Sequence, residues 1–490
     1  MQQIFTIEIE GNGSFLYRVY KPPDENDRLI VPTKVIEASR NAPIYKGVRT
    51  FVWKHTCCNI IKIYMNYLYQ WRRLTAGIEQ VPMFSYLIRW TLISLLAGLL
   101  TGSASALLLV SLNWATHVRE ENIWLIGLLP IAGLIIGLIY HYWGSSVVKG
   151  NNYLIEEIHE PKDIIPFKMA PLIYITTVMT HLFGGSAGRE GTAVQMGGAI
   201  ADQFSKWFRF SKNDHQIMVM VGISGGFASV FGTPLAGAVF ALEVITVGRV
   251  HYNSILPCFF AAAFANYTCR AWGVHHTTYA VPFVPEATLM NIMLVVLAGI
   301  FFGLAAMAFS RSVPFWQKLI RKIDYAPLQP FVGGCVIALA VLVMGTTRYI
   351  GLGVPVISES FVQQQEWYDF LLKIIFTTFT LGVGFKGGEV TPLFFVGATL
   401  GSALSGILPL PTAVLAGVGF VAVFAGATNT PIACTLMGIE LFGSECGLYI
   451  AIGCVVAYLF SGHTGIYRSQ IIGSPKHHHY NRLMGQTLHD

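Results

Sequence analysis

Gly184-Gly185-Ser186-Ala187-Gly188-Arg189-Glu190-Gly191-Thr192 decides the fold, because its pattern returns later in the chain as Gly387-Gly388-Glu389-Val390-Thr391-Pro392. The first stretch is followed by Gly197-Gly198-Ala199 and the second by Val396-Gly397-Ala398. Downstream, Gly226-Phe227-Ala228-Ser229-Val230-Phe231, Thr233-Pro234 and Glu243 are answered by Gly419-Phe420-Val421-Ala422-Val423-Phe424, Thr430-Pro431 and Glu440. Pro234 and Pro431 precede their glutamates by the same spacing. Two linked agreements in the same order define an internal repeat. Repeats interrupted at corresponding positions are the mark of transporters whose site lies where the repeats meet. An inverted pair is the expected arrangement, since the two breaks then meet from opposite sides.

The surroundings of the repeat are those of a membrane protein. Hydrophobic residues make up 53% of the chain and charged residues 12%, against about 25% charged in an ordinary soluble domain. Mean hydropathy is +0.55, and one soluble core cannot absorb that excess. Apolar runs such as Leu92–Leu100, Ile123–Tyr140, Leu289–Met307 and Val332–Met344 begin near Trp90. Long helices are expected over about 86–113, 122–143, 287–311 and 329–346, with shorter helices and Gly-rich breaks between them. The fold class is therefore all-α and polytopic, with about 16–18 helical segments.

At each glycine stretch the missing side chains let the backbone leave helical geometry and approach a ligand. A helix starting near Glu190 or Gly191 presents unpaired N–H groups and a positive dipole end. In a membrane those groups must find a partner, and an anion is one. Pro392 is compatible with the first turn of the second helix. A single glycine cluster can equally serve close helix packing. Two clusters, each with a glutamate at a helix start, favour a site. An intramembrane carboxylate is costly and points to function. Ionised, Glu190 can fill the anion site itself; protonated, it can leave and admit an anion, which links protons to anion binding. The alternative is that Glu190 merely caps its helix. Arg189 is expected in a structural salt bridge or on an aqueous face. Asn151 and Asn152, next to a helix start, can donate to an anion, although Gly150-Asn151-Asn152 is also an ordinary turn.

The ends of the chain are read separately. Residues 1–82 form an extension of ordinary charge content, with strand-like alternation at Phe5–Ile9 and a Lys21-Pro22-Pro23-Asp24 break. They are either a small cytoplasmic appendage or translated sequence upstream of a start at Met83. The net charge is +6, and its surplus lies at Lys46, Arg49, Lys54, Lys62, Arg72, Arg73 and Arg89 before the first span and at Lys476 and Arg482 after the last. Both termini therefore read as cytoplasmic, and a nucleic-acid partner is not expected. Of the eight cysteines none forms a C-x-x-C pair, so no disulfide framework, zinc site or cofactor is expected. Residues 474–490 read as a polar tail. Its His477-His478-His479 is a candidate metal ligand set, but neighbouring residues do not share a helix face, and solvated side chains are the expectation.

Gly188-Arg189-Glu190-Gly191, the Gly387-Gly388-x-x-x-Pro392 signature and the Pro234-Leu235-Ala236-Gly237…Glu243 helix together resemble the CLC chloride channel and transporter family, over about residues 86–472. The resemblance implies a homodimer in the inner membrane with one pore per subunit, each subunit built of two inverted halves, about 86–270 and 287–472. It implies that Glu190 is the external gating glutamate and Tyr467 the central pore tyrosine. It also places the chain with the compact members that lack regulatory domains after the membrane unit. Departures from the family pattern narrow the expectation. Gly150-Asn151-Asn152-Tyr153-Leu154 stands where chloride-selective members have Gly-Ser-Gly-Ile-Pro, and Thr192 stands where Gly-Arg-Glu-Gly-Pro ends. Gly388-Glu389-Val390-Thr391-Pro392 replaces Gly-x-Phe-x-Pro, and Val244 replaces a proton-transfer glutamate. That combination is similar to the fluoride/proton antiporter branch. Fluoride holds its water tightly, so strong donors must replace that water: Asn151, Asn152, Thr391 and the backbone around Gly188, Arg189, Gly191, Thr192, Gly388 and Val390. Glu389 then supplies a second proton-carrying group beside Glu190. A chloride/proton exchanger or chloride channel is the competing transport reading. An intramembrane acid/base enzyme using Glu190 and Glu389 is a remote one, because the matched segments hold no His, Cys or Asp.

Overall fold

The computed structural model describes residues 4–9, 15–20 and 80–488. Cys57, Cys58, the Lys21–Asp24 break, the basic residues from Lys46 to Arg73 and most of the 1–82 extension lie outside the described residues. The chain divides into two units, Met1–Met83 and Phe84–Asp490. In the first, β1 (Ile4–Ile9) and β2 (Phe15–Tyr20) pair antiparallel, with Ile4 opposite Tyr20 and Ile9 opposite Phe15.

Sixteen α-helices occur among the described residues, and they fall into two matched series of eight. The first comprises α1 (Gln80–Glu121), α2 (Leu129–Tyr142), α3 (Asn151–His159), α4 (Met169–Leu182), α5 (Glu190–Trp207), α6 (Lys212–Phe231), α7 (Pro234–Glu243) and α8 (Ile255–Ala271). The second comprises α9 (Leu289–Ile320), α10 (Leu328–Met344), α11 (Val354–Glu359), α12 (Asp369–Gly382), α13 (Val390–Leu404), α14 (Thr412–Thr428), α15 (Pro431–Phe442) and α16 (Gly447–Phe460). Three stretches are long and apolar enough to cross a membrane: Met83–Glu121, Ile123–Tyr142 and Leu289–Ile320. Most of the rest are shorter apolar helices, as the glycine and proline breaks require.

Three expected spans differ in their bounds. The first, expected over 86–113, runs on as α1 to Glu121. The span over 122–143 is a 3-10 segment, Ile123–Leu128, followed by α2. Pro130 sits in the first turn of α2, where its missing N–H costs nothing, and so starts a new helix there. Conversely, α9 runs through Pro314 to Ile320 instead of ending near 311. It is held against α12, where Gly382 lies so close to Trp316 and the Val313 backbone that a side chain would collide.

The downstream glycines of each repeat copy serve packing. Gly197 of α5 faces Gly222 of α6, and Gly397 of α13 faces Gly419 of α14. A methyl group on any of the four would overlap the opposing backbone, so these crossings need glycine.

Two contacts relate the halves by a local two-fold axis. Gly188 and Gly388 form an antiparallel bridge, N–H to O=C both ways, at 2.6 and 2.7 Å. In the second, helices α7 and α15 exchange caps. The Glu440 carboxylate accepts from the Leu235 and Ala236 N–H groups at 3.0 and 2.9 Å, and the Glu243 carboxylate accepts from Ile432 and Ala433 at 3.1 and 2.8 Å. Self-complementary contact between equivalent residues is what a two-fold relation produces. This two-fold relation accords with the inverted halves expected from the sequence.

The C-terminal segment is not the free tail expected from its polarity. β3 (Thr246–Val247) pairs in parallel with β4 (Ile471–Ile472), and the Gly473 and Ser474 N–H groups both reach the Val247 carbonyl. Ile472 exchanges bonds with Gln486 and Gly485, and Leu488 N–H donates to the Gln470 carbonyl. Lys476 donates from Nζ to the Tyr458 carbonyl at 2.6 Å and to Ser461 Oγ at 2.9 Å, closing the end of α16. Lys476 and the backbone of the segment thus find partners on the domain surface, while His477, His478 and His479 remain exposed. The six described cysteines are free, and all but Cys335 are buried.

Candidate functional site

The site forms where α5 and α13 begin. Each helix is reached by a turn that opens on a glycine in the left-handed region, Gly184 at φ +89° and Gly384 at φ +110°. The first helical bonds are Ala193 N–H to Arg189 O and Leu393 N–H to Glu389 O. The N–H groups before them have no intrahelical acceptor, and neither helix has a side-chain cap. The Gly188–Gly388 bridge brings these two helix ends together.

Glu190 lies in the gap, 1% exposed. Its Oε2 accepts from the Thr391 N–H at 3.0 Å, the Thr391 hydroxyl at 2.5 Å and the Arg189 N–H at 3.2 Å. Its Oε1 accepts from Arg189 Nε at 3.3 Å. So the Glu190 side chain occupies the N-terminus of α13, the opposite repeat's helix, and Arg189 forms its salt bridge with Glu190 itself. A carboxylate here stands where an anion would stand.

Glu389 is placed differently. It faces a cavity of about 610 Å³ that is also lined by Lys149, Asn151, Asn152, Lys386, Tyr467 and Arg468. Among the described residues no hydrogen bond or ion pair fixes its carboxylate. The cavity does not reach Glu190, Val390 or Thr391. One glutamate is thus enclosed and the other is open to a polar cavity two residues from Thr391.

The other expected site residues divide. Asn151 opens α3, with Gly150 before it at φ +58°. Its side-chain amide nitrogen would stand 3.0 Å, and the Gly388 Cα 3.1 Å, from a Cβ at Gly191, so the helix start is closely enclosed there. Asn152 Oδ1 accepts from the Ser469 N–H at 3.1 Å, which leaves its NH₂ for the cavity. The Thr192 hydroxyl bonds Thr177 at 2.8 Å and lies in a buried contact with α4, not on the cavity. Tyr467 is 3% exposed, lines the cavity and meets Phe240 edge-on. Val390 is buried and contributes backbone only. Val244 is buried, its carbonyl bonded by Gln470, and Glu243 is committed to the cap of α15.

A family model for the voltage gated chloride channel matches residues 132–462. The chain belongs to that family. The "Chloride/fluoride channel protein" of Pseudomonas syringae is 51% identical over 407 residues, 82% of this chain and 90% of the relative. The H(+)/Cl(−) exchange transporter ClcA of Vibrio cholerae is 27% identical over 73% of this chain and 82% of its own. Among solved structures, a CLC-type fluoride/proton antiporter aligns with a TM-score of 0.76 and 33% identity, covering 78% of this chain and 98% of that one. A slow cyanobacterial Cl−/H+ antiporter aligns at 0.65 and 20% identity over 76% and 94%, which speaks for the fold.

Within this CLC fold, several contributors were not visible in the sequence. His181 is fully buried and joins the Thr177 and Ala187 carbonyls at 2.8 and 3.0 Å, while Ser186 Oγ bonds Thr377 Oγ1 at 2.8 Å. These bonds fix the loop before Glu190. Buried Lys373 donates to the Tyr349 and Gly351 carbonyls at 3.1 and 2.9 Å, and Gly351 N–H in turn donates to the Gly185 carbonyl. Lys386 lies in the cavity with its ammonium 4.3 Å from the Tyr140 ring centre and no carboxylate partner among the described residues. A lysine three residues before Glu389 was the one available signal, and without a register for the loop it pointed nowhere.

Proposed function

We propose that this CLC-family chain exchanges fluoride for protons across the membrane, with Glu190 as the gate. The observation that carries the reading is the Glu190 carboxylate held by the Thr391 N–H and hydroxyl at the start of α13. An ionised Glu190 occupies those donors. A protonated one loses much of the charge-assisted attraction and yields them to fluoride, so anion entry and proton uptake are linked. Glu389, on the cavity, takes protons from water and passes them toward Glu190. Asn151, the Asn152 NH₂ and Tyr467 receive fluoride in the cavity. The backbone N–H groups of Arg189, Gly191 and Val390 receive it at the helix ends, while those of Gly188 and Gly388, expected from the sequence to take part, are committed to their bridge. Such donors suit an ion that surrenders its water only to strong hydrogen bonds. The subunit works in a homodimer in the inner membrane, with both termini cytoplasmic.

The 51% identical relative has both chloride and fluoride in its name, so the test compares the two ions. Purified protein in liposomes should release fluoride faster than chloride, with protons moving the opposite way. Glu190→Gln should abolish coupled exchange, because an amide does not alternate between charge states. Fast chloride release without fluoride preference would reject the fluoride assignment; full proton coupling in Glu190→Gln would reject the gate.

A further inference from the structure

The C-terminal segment carries a cluster of side chains that the proposed transport does not use. His477, His478 and His479 each offer a ring nitrogen, and these nitrogens lie within 4.8 Å of one another. Their ring centres are 4.0, 4.7 and 4.3 Å apart. The objection that neighbouring residues point apart on a helix fails here for a local reason. His477 is extended, at φ −151° and ψ 146°, and the 3-10 turn His478–Leu483 begins immediately after it. The change of backbone conformation between 477 and 478 swings the first ring onto the side of the next two.

Their position is also built. Gly473 and Ser474 are bonded to Val247, and Lys476 is anchored at the end of α16. The Lys476 ammonium is thereby turned away from the histidines, and its N–H donates to His463 Nε2 at 3.1 Å. The His479 N–H donates to His477 Nδ1 at 3.3 Å, so Nδ1 carries that ring's lone pair and exchanges this long bond for the metal. Among the described residues no carboxylate pairs with the three rings, and all three are exposed.

We infer that His477, His478 and His479 form a surface site for a divalent transition cation of the zinc, nickel or copper class. Imidazole nitrogen is the donor these ions favour. Zinc binds it at about 2.0–2.1 Å, which sets tetrahedral ligands about 3.4 Å apart. Modest side-chain rotation closes the observed spacing to that value. Water completes the coordination shell.

The test is zinc titration of the purified full-length protein, prepared without a polyhistidine tag and followed by calorimetry or a competing zinc indicator. One zinc per chain is expected. The variant His478→Gln/His479→Gln keeps the His477 ring and the anchoring bonds of the segment. It should bind at least about 10–100-fold more weakly, the cost already seen for losing a metal's outer-shell partner. Cys335→Ser, which removes the exposed thiol, should bind zinc as the parent does. Undiminished binding by the histidine variant, loss of binding in Cys335→Ser, or no zinc bound by the parent would each overturn the site. Because the readout is zinc binding, its outcome is independent of which anion the protein carries.

Discussion

Replacing Glu243 by alanine tests the exchanged caps of α7 and α15. Glu243 is 5% exposed, and its two oxygens accept from Ile432 and Ala433 at 3.1 and 2.8 Å. A hydrogen bond to a charged group contributes about 1.5–3 kcal/mol, and an unsatisfied buried donor costs about 1–3 kcal/mol. Allowing for overlap between these terms, the loss is about 3–5 kcal/mol. Glu440 makes two bonds of the same kind, at 3.0 and 2.9 Å, to an equivalent helix start, but its own side chain is only partly buried. A partly solvated carboxylate gains less from its bonds, so Glu440→Ala should cost about 1 kcal/mol. With about 2.1 cal/mol/K of unfolding entropy per residue, an ordered unit of roughly 400 residues shifts its Tm by about 1 °C per kcal/mol. Thermal unfolding in detergent should therefore fall by about 3–5 °C for Glu243→Ala and about 1 °C for Glu440→Ala. Glu243→Gln, which keeps one acceptor, should fall between them. Equal shifts, or a larger one for Glu440→Ala, would refute the reasoning that burial sets the value of the cap.

Two further outcomes concern the gate. Thr391→Val removes the 2.5 Å hydroxyl bond to Glu190 and keeps the N–H. At about 1.5–3 kcal/mol for that bond, Glu190 should vacate the site about 10–100-fold more often, seen as extra fluoride flux and fewer protons per fluoride. An unchanged ratio would show that the hydroxyl does not hold the gate. Glu389→Gln should slow proton movement while the protein keeps its fold, because no hydrogen bond depends on that carboxylate; proton flux equal to the parent's would move the proton route elsewhere.

Much of this was readable from local chemistry. The starts of α5 and α13 follow from glycine, glutamate and proline at fixed spacing, and the repeat made two equivalent halves the expectation without fixing their relative orientation. Sequence patterning did not show where long-range partners would fall. The Asn152 carbonyl is taken by Ser469 and Glu243 by the second half, contacts that join residues far apart in the chain, and Thr192 is taken by Thr177 of the preceding helix. No periodicity encodes such a partner. His181 and Lys373 were missed because a lone polar residue in an apolar helix looks the same whether it braces a loop or not. The C-terminal segment has the exposed polar side chains its composition suggests, but its anchoring on β3 and α16 was not legible, because polarity alone says nothing of backbone partners.

The Gly188–Gly388 bridge has a mechanical implication. Together with the caps at Glu243 and Glu440, it ties the halves by six hydrogen bonds, each ending on a main-chain group of one half. Rocking one half against the other would have to break that seam. With Glu190 as the proposed gate, access from either side then falls to rotating side chains, as in valves set in a rigid body.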